Sequence, residues 1–169
     1  ADEINILSGK STTIVEPGPD LADVCRERGH VVIEKFLEGV ERSDLPKGPK
    51  VFVSFELFEH LHDPEYFLRR LFSLMTSGDL FIFTTLSGVG VDIQTLWEDS
   101  KSVSPPYHLN FFNPDSIRIL LERLNFNVIS ITTPGKLDID IMSNNISLIK
   151  DRFWKNFVDK ATDEEKSEW

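Results

Sequence analysis

The sequence predicts an α/β fold, a mostly parallel sheet with helices on both faces. Three observations carry that prediction. Short β-branched apolar runs alternate with stretches whose apolar residues recur at helical spacing, the pattern of strands joined by crossover helices. Proline and glycine stand at the junctions, where helices begin and end. The chain has 169 residues, 40% of them hydrophobic and 11% aromatic, enough to bury one sizeable core.

The first strand is Thr12-Thr13-Ile14-Val15, which stops at Glu16-Pro17-Gly18. A helix starts near Pro19 with Asp20 in its first turn. Leu21, Val24, Cys25 and Arg28 share a face of it, and Gly29 is placed to end it. Val31-Val32-Ile33 is the second strand, and His30 just before it is read as exposed. Gly39 to Lys50, with Pro46, Gly48 and Pro49, is a surface loop. Val51 to Phe55 is a buried strand. Asp63 then caps a helix that has Pro64 at its first position and Glu65 in its first turn, with Phe67, Leu68, Leu71, Phe72 and Met75 on one face. Ser77-Gly78 turns the chain into a strand at Leu80 to Thr84. A long irregular stretch runs from Leu86 to Phe112, and loops of that length inside a compact domain are usually functional. Asn113-Pro114-Asp115 opens a helix carrying Ile117, Leu120, Leu121 and Leu124. Val128 to Ile131 is a strand, and Asn144 to Trp169 is a helix with a charged, frayed tail.

Charge and composition exclude several classes. Lys and Arg number 18 against 28 Asp and Glu, a formal net charge of −10. Such a surface disfavours nonspecific nucleic-acid binding and docking on an anionic membrane. Cys25 is the single cysteine, so neither a disulfide framework nor a cysteine-based zinc site is expected. No apolar run reaches the ~18 residues of a membrane span. The first ten residues lack the basic and long apolar regions of a signal peptide, and a cytoplasmic location is expected. The sequence says nothing of oligomeric state.

Two phosphate-binding signatures are incomplete. Gly9-Lys10-Ser11 ends like a P-loop, but Ile4 stands where the first glycine belongs and a strand follows instead of a helix. Gly88 and Gly90 open a dinucleotide fingerprint whose third glycine is replaced by Ile93.

Three segments in order point elsewhere. They are Ile14-Val15-Glu16-Pro17-Gly18; Glu59-His60-Leu61-His62-Asp63-Pro64, with a helix and then Ser77-Gly78-Asp79-Leu80; and His108-Leu109-Asn110-Phe111-Phe112-Asn113-Pro114, with a helix and then Asn125-Phe126-Asn127-Val128. From about Thr12 to about Ile141 the chain resembles the class I S-adenosylmethionine-dependent methyltransferases. Within them it is similar to the small-molecule branch that includes the ubiquinone-biosynthesis O-methyltransferases. The resemblance implies a Rossmann-like methyltransferase sheet, S-adenosylmethionine as cofactor, and methyl transfer to a small-molecule acceptor through oxygen. The alternative is a non-catalytic binding or assembly domain of the same fold. A short-chain dehydrogenase needs a Tyr-x-x-x-Lys pair, but Tyr66 is followed at that spacing by Arg70 and Tyr107 by Phe111.

The resemblance also implies a set of site residues. In open α/β sheets ligands bind beyond the carboxyl ends of the strands. Glu16 ends its strand, where the family's acid accepts the ribose hydroxyls, and Pro17 follows it; a solvated turn residue is the other reading. Phe36 and Leu37 take the adenine position, with Lys35 in place of the usual acid; Phe36 could equally be core. Phe55 and Glu56 close the strand that faces the methionine end. Glu56, Glu59, His60 and His62 have the chemistry of a divalent-cation site, but the family also uses the Glu-His pair as a hydrogen-bonded turn, and no metal site is predicted. A hydroxyl acceptor gains from a base, and His60 and His108 are the candidates. His108 could instead only tie the loop to the core. Trp97, Tyr107, Phe111 and Phe112 line an apolar acceptor pocket or form core beneath a lid.

The family's glycine-rich loop has no counterpart before Thr12, Lys50-Val51 stands where an acid commonly opens the fourth strand, and the last antiparallel strand is not found. The resemblance therefore implies a partial domain over residues 1–143, missing the first and last strands, with 144–169 as its C-terminal helix and tail.

Overall fold

The computed structural model describes residues 1–133 and 139–160. Its helices are α1 (Asp2–Ser8), α2 (Pro19–Glu27), α3 (Pro64–Leu74), α4 (Val91–Leu96), α5 (Pro114–Arg123), α6 (Ile139–Asn144) and α7 (Arg152–Lys160); its strands are β1 (Thr13–Val15), β2 (Val31–Ile33), β3 (Val51–Phe55) and β4 (Leu80–Thr84). By their contacts the residues divide into two compact units. The first is Ala1–Phe52 with Glu65–Ile82; the second is Val53–Pro64 with the described residues from Phe83 onward.

In the first unit β1 and β2 pair in parallel, Thr13 opposite Val31, Ile14 opposite Val32 and Val15 opposite Ile33. Parallel neighbours need a crossover, and α2 supplies it. Pro19 sits at the start of α2, where its missing N–H costs nothing. Gly29 follows with φ +83°, a left-handed turn that a side chain would strain. Ala22, Val40, Leu68, Leu71 and Leu74 are buried. Each buried leucine contributes roughly 1.5–3 kcal/mol of transfer free energy. The end of α3 is closed by Arg42, whose guanidinium donates to the carbonyls of Ser73 (2.9 Å) and Met75 (3.0 Å), orphans that a helix end otherwise leaves to water. Arg70 donates to the Val40 carbonyl and so holds the preceding loop to α3.

Asp79 shapes the turn into β4. Its carboxylate accepts from the Thr76 backbone N–H, the Thr76 hydroxyl and the Lys50 backbone N–H. Desolvation alone would raise this carboxyl, but those three donors and the Lys50 ammonium outweigh it and hold it below the ordinary aspartate range. β3 and β4 pair. Leu80 N–H donates to Lys50 (3.0 Å) and Glu56 N–H to Thr84 (3.1 Å), advancing along both strands in one sense as parallel pairing requires. Along each strand exposure alternates residue by residue, and Val51, Val53, Phe55, Leu80 and Ile82 lie on the exposed positions.

In the second unit Asn113 caps α5 by accepting from Ser116 N–H (2.8 Å), and the Ser116 hydroxyl closes the reciprocal bond. Ile117, Leu120, Leu121 and Leu124 are buried, as their spacing predicts. Ser87 bridges Phe112 in parallel, and Gly88 N–H donates to the Phe112 carbonyl at 2.7 Å. A Cβ at Gly88 would lie 2.9 Å from the Phe111 carbonyl oxygen, so this approach needs glycine. A separate core gathers Val91, Leu96, Ile139, Met142, Ile149 and Val158, with Trp154 and Phe157 packed against it.

Five expectations are corrected. Val51–Phe55 is a strand but not a buried one: none of its residues is buried, because alternate side chains leave one of its faces and Val51, Val53 and Phe55 on that face are exposed. Residues 86–112 are not all irregular: α4 and a 3-10 turn over Trp97–Asp99 lie within them. Val128 to Ile131 is not a strand among the described residues; Ile129 is 78% exposed, and β propensity without a pairing partner makes no strand. The helix expected from Asn144 is broken. The Asn145 amide donates back to the Ile141 carbonyl (2.8 Å) at the end of α6, and Asp151 starts α7 afresh by accepting from Trp154 N–H (2.9 Å); residues 161–169 lie outside the described residues. Finally, His30 is buried, with Nε2 2.7 Å from Asp2 and Nδ1 3.2 Å from the Thr12 hydroxyl. The carboxylate that pairs with it comes from α1, 28 positions away in the chain.

Candidate active site

The candidate residues fall into both units. In the first, Glu16 extends the β1–β2 pairing by one step, its N–H donating to Ile33 at 3.1 Å. Its Oε1 accepts from Gly18 N–H at 2.7 Å, which folds the carboxylate over Pro17 and leaves Oε2 with no partner among the described residues. The approach is close: a Cβ at Gly18 would lie 3.0 Å from Oε1, so the carboxylate would have to give way. The turn reading and the binding reading of Glu16 are thus compatible, one oxygen serving each.

Beyond β2, the Lys35 ammonium donates to Asp44 at 2.8 Å. That hydrogen bond, with the Glu41 backbone N–H beside it, holds the Asp44 carboxyl below its usual value. Phe36 is 71% exposed, so it is not core, and Leu37 is half-buried where a 3-10 turn begins. An aromatic ring presented to solvent at a strand end offers a stacking face.

In the second unit, Phe55 is exposed and Glu56 has φ +48°. That left-handed conformation costs a non-glycine residue of order 1 kcal/mol. It is fixed by Thr84, whose carbonyl accepts from Glu56 N–H (3.1 Å) and whose hydroxyl donates to Glu56 Oε1 (2.5 Å). Glu59 is buried and turned inward, accepting from the Thr85 hydroxyl at 2.8 Å; its carbonyl accepts from Leu109 N–H (2.6 Å) and Asn110 N–H (3.2 Å). The Asn110 amide donates to the carbonyls of Phe58 (3.0 Å) and Leu61 (2.6 Å). The Glu-His turn therefore anchors the 107–110 segment. Among the described residues no three His, Cys, Asp or Glu side chains come together as a metal site.

The same anchoring brings the two histidines together. The His60 and His108 ring centroids are 4.9 Å apart, with planes at 56°. His60 Nδ1–H donates to the Tyr107 carbonyl (2.8 Å) and His108 Nδ1–H to the Ser102 carbonyl (2.7 Å). A carbonyl only accepts, so each neutral ring carries its proton on Nδ1 and offers Nε2 as a lone pair. An imidazole nitrogen that carries a lone pair is suited to taking a proton. Tyr107 is 71% and Trp97 67% exposed, so neither ring is core, and His62 is exposed.

Residues 7–131 match the methyltransferase domain family. The chain belongs to that family. S-adenosylmethionine is the cofactor that membership in the methyltransferase domain family implies. A solved structure from Thermotoga maritima, described as an S-adenosylmethionine-dependent methyltransferase and possible histamine N-methyltransferase, has the same fold. It superposes with a TM-score of 0.56 at 17% identity, over 75% of this chain and 59% of that one. No curated protein matches the sequence. Among the described residues no helix is long and apolar enough to cross a membrane.

Thr84, Thr85 and Asn110 were missed as partners of the candidate residues. Asn110 lies in the His108-Leu109-Asn110-Phe111-Phe112 segment, so its position was legible; its role as a double donor was not.

Proposed function

We propose that this methyltransferase domain carries S-adenosylmethionine-dependent methyl transfer to a small-molecule acceptor, with oxygen as the accepting atom. The observation that carries the acceptor chemistry is the histidine pair, two imidazoles held through Nδ1 with their Nε2 atoms free. Bound S-adenosylmethionine supplies a methyl group on a positively charged sulfur.

The chain's own residues do the rest. Glu16 would accept from ribose hydroxyls through Oε2 while Oε1 stays with Gly18, and Pro17 fixes the turn between them. Phe36 and Leu37 would hold the adenine. Phe55 and Glu56 would hold the methionine portion, with Glu56 fixed by its bonds to Thr84. His60 or His108 would take the acceptor's hydroxyl proton on Nε2. Tyr107 and Trp97 offer apolar area to the acceptor. The excess of acidic residues favours a neutral or cationic acceptor over an anionic one.

Calorimetry with S-adenosylhomocysteine, followed by a methyl-transfer assay over phenols, alcohols and amines, tests this. Binding together with transfer to hydroxyl compounds supports it. No heat up to millimolar ligand overturns the cofactor reading, and transfer to amines alone overturns the oxygen assignment.

A further inference from the structure

Asp92 lies in α4 beneath the loop that carries His108, and it is 3% exposed. A buried carboxylate is costly unless hydrogen bonds replace its water. Its Oδ2 accepts from the Ser100 hydroxyl (2.8 Å) and the Ser102 hydroxyl (2.9 Å). The Ser100 oxygen in turn accepts from Ser102 N–H at 3.1 Å. Ser102 is thus held at its side chain and its backbone N–H, both traced to one carboxylate. The remaining polar group of Ser102, its carbonyl, accepts from His108 Nδ1 at 2.7 Å.

We infer that Asp92 is the positioning residue of the histidine pair. It fixes Ser102, and the Ser102 carbonyl holds His108 with its proton on Nδ1 and its Nε2 free. The logic is that of a metal-bound histidine whose second nitrogen is tied to a carbonyl: the outer partner selects the tautomer and the ring orientation. His60 is tied independently, through Tyr107, whose N–H and that of His108 both donate to Ser104 (2.8 and 3.0 Å). Asp92 therefore acts on one ring of the pair. This inference rests on the methyltransferase reading only for its effect on rate; its effect on His108 stands apart from it.

Nitrogen-15 NMR of the histidine rings tests it directly, because the Nδ1 and Nε2 shifts report which nitrogen holds the proton, with or without cofactor. The variants are Asp92→Ala, Ser102→Ala and Ser102→Thr. In the unaltered protein and in Ser102→Thr, neutral His108 shows the Nδ1–H form. In Asp92→Ala and Ser102→Ala it shows a mixture of both tautomers, while His60 keeps its form. In the transfer assay the two alanine variants lose about tenfold in kcat, with the affinity for S-adenosylhomocysteine within twofold. If Asp92→Ala does not fold, Ser102→Ala against Ser102→Thr decides. An unchanged His108 tautomer in a folded Ser102→Ala overturns the inference even where methyl transfer is observed. A changed tautomer without any methyl transfer by the unaltered protein supports the positioning role and sinks the enzymatic reading alone.

Discussion

Replacing Glu16 by glutamine separates the two uses of its carboxylate. Oε1 is already engaged by Gly18 N–H at 2.7 Å, and a glutamine carbonyl keeps that bond. What changes is Oε2, an acceptor that becomes an amide donor. A hydrogen bond to a charged acceptor is worth about 1.5–3 kcal/mol, and donor against donor forfeits it. With 1.4 kcal/mol per factor of ten, Glu16→Gln weakens S-adenosylhomocysteine binding roughly 10- to 100-fold. The fold should not notice, since Glu16 is half-buried and its local bond survives. A companion variant alters place without altering charge. Gly18 has φ −78° and ψ 118°, angles alanine accepts, but the new Cβ would stand 3.0 Å from Oε1 and push the carboxylate aside. Gly18→Ala should cost about one tenfold step in affinity, near 1.4 kcal/mol. Isothermal calorimetry measures both, with urea midpoints as the control for folding. A Glu16→Gln protein that binds within twofold of the parent would refute the ribose assignment outright.

Other consequences follow from the same contacts. Asn110→Ala removes two amide donors to the Phe58 and Leu61 carbonyls and should cost about 1–3 kcal/mol at roughly 0.5–1.5 per bond, read from the urea midpoint, with a fall in kcat as the histidines separate. Gly88→Ala forces the 111–112 backbone away and should destabilise by about 1–3 kcal/mol, as overpacking does. Asp79, with its carboxyl held low, stabilises the fold fully above its unfolded value of 3.8 and loses that contribution as pH falls through the lower folded value. Asp79→Asn should therefore flatten the acid limb of a plot of urea midpoint against pH, below about pH 4; an unchanged limb would remove Asp79 from the account.

The four strands among the described residues were legible in the sequence because each is a β-branched or aromatic run, the first three stopped by a charged residue and the fourth opened by the Ser77-Gly78 turn. Helices α2, α3 and α5 were legible for their Pro starts, and α3 and α5 for their apolar stripes as well; on α2 Ala22 is buried while Leu21 and Val24, expected on its apolar face, are exposed. The failures have physical causes. Strand propensity at residues 128–131 is local, whereas a strand needs a neighbour. Helix α4 is short, and its buried positions mix Asp92 and Thr95, held by hydrogen bonds, with Val91, Ile93 and Leu96, so no clean apolar stripe marks it in the sequence. His30 drew its burial from Asp2 on another helix, which no local pattern records. Glu16 and Glu56 stand out in the sequence as candidates because strand ends are where such sheets bind ligands. Their bonds to Gly18 and Thr84 do not. His60 and His108 are each a candidate base in the sequence; that they meet as neighbours across 48 positions, their planes tilted, depends on Glu59 and Asn110 holding one loop to the other, a distance that residue types do not encode.

The alternating exposure of β3 and β4 has a consequence for the protein in bulk. Val51, Val53, Phe55, Leu80 and Ile82 present apolar side chains to water, and molecules bearing such rows attract one another at short range. At neutral pH the charge of −10 keeps them from approaching. That barrier shrinks as the solution nears the isoelectric point of 4.8, and added salt thins it by shortening the Debye length. The protein should therefore be a stable colloid in dilute buffer at neutral pH and flocculate in mildly acidic, salty solution while each molecule is still folded.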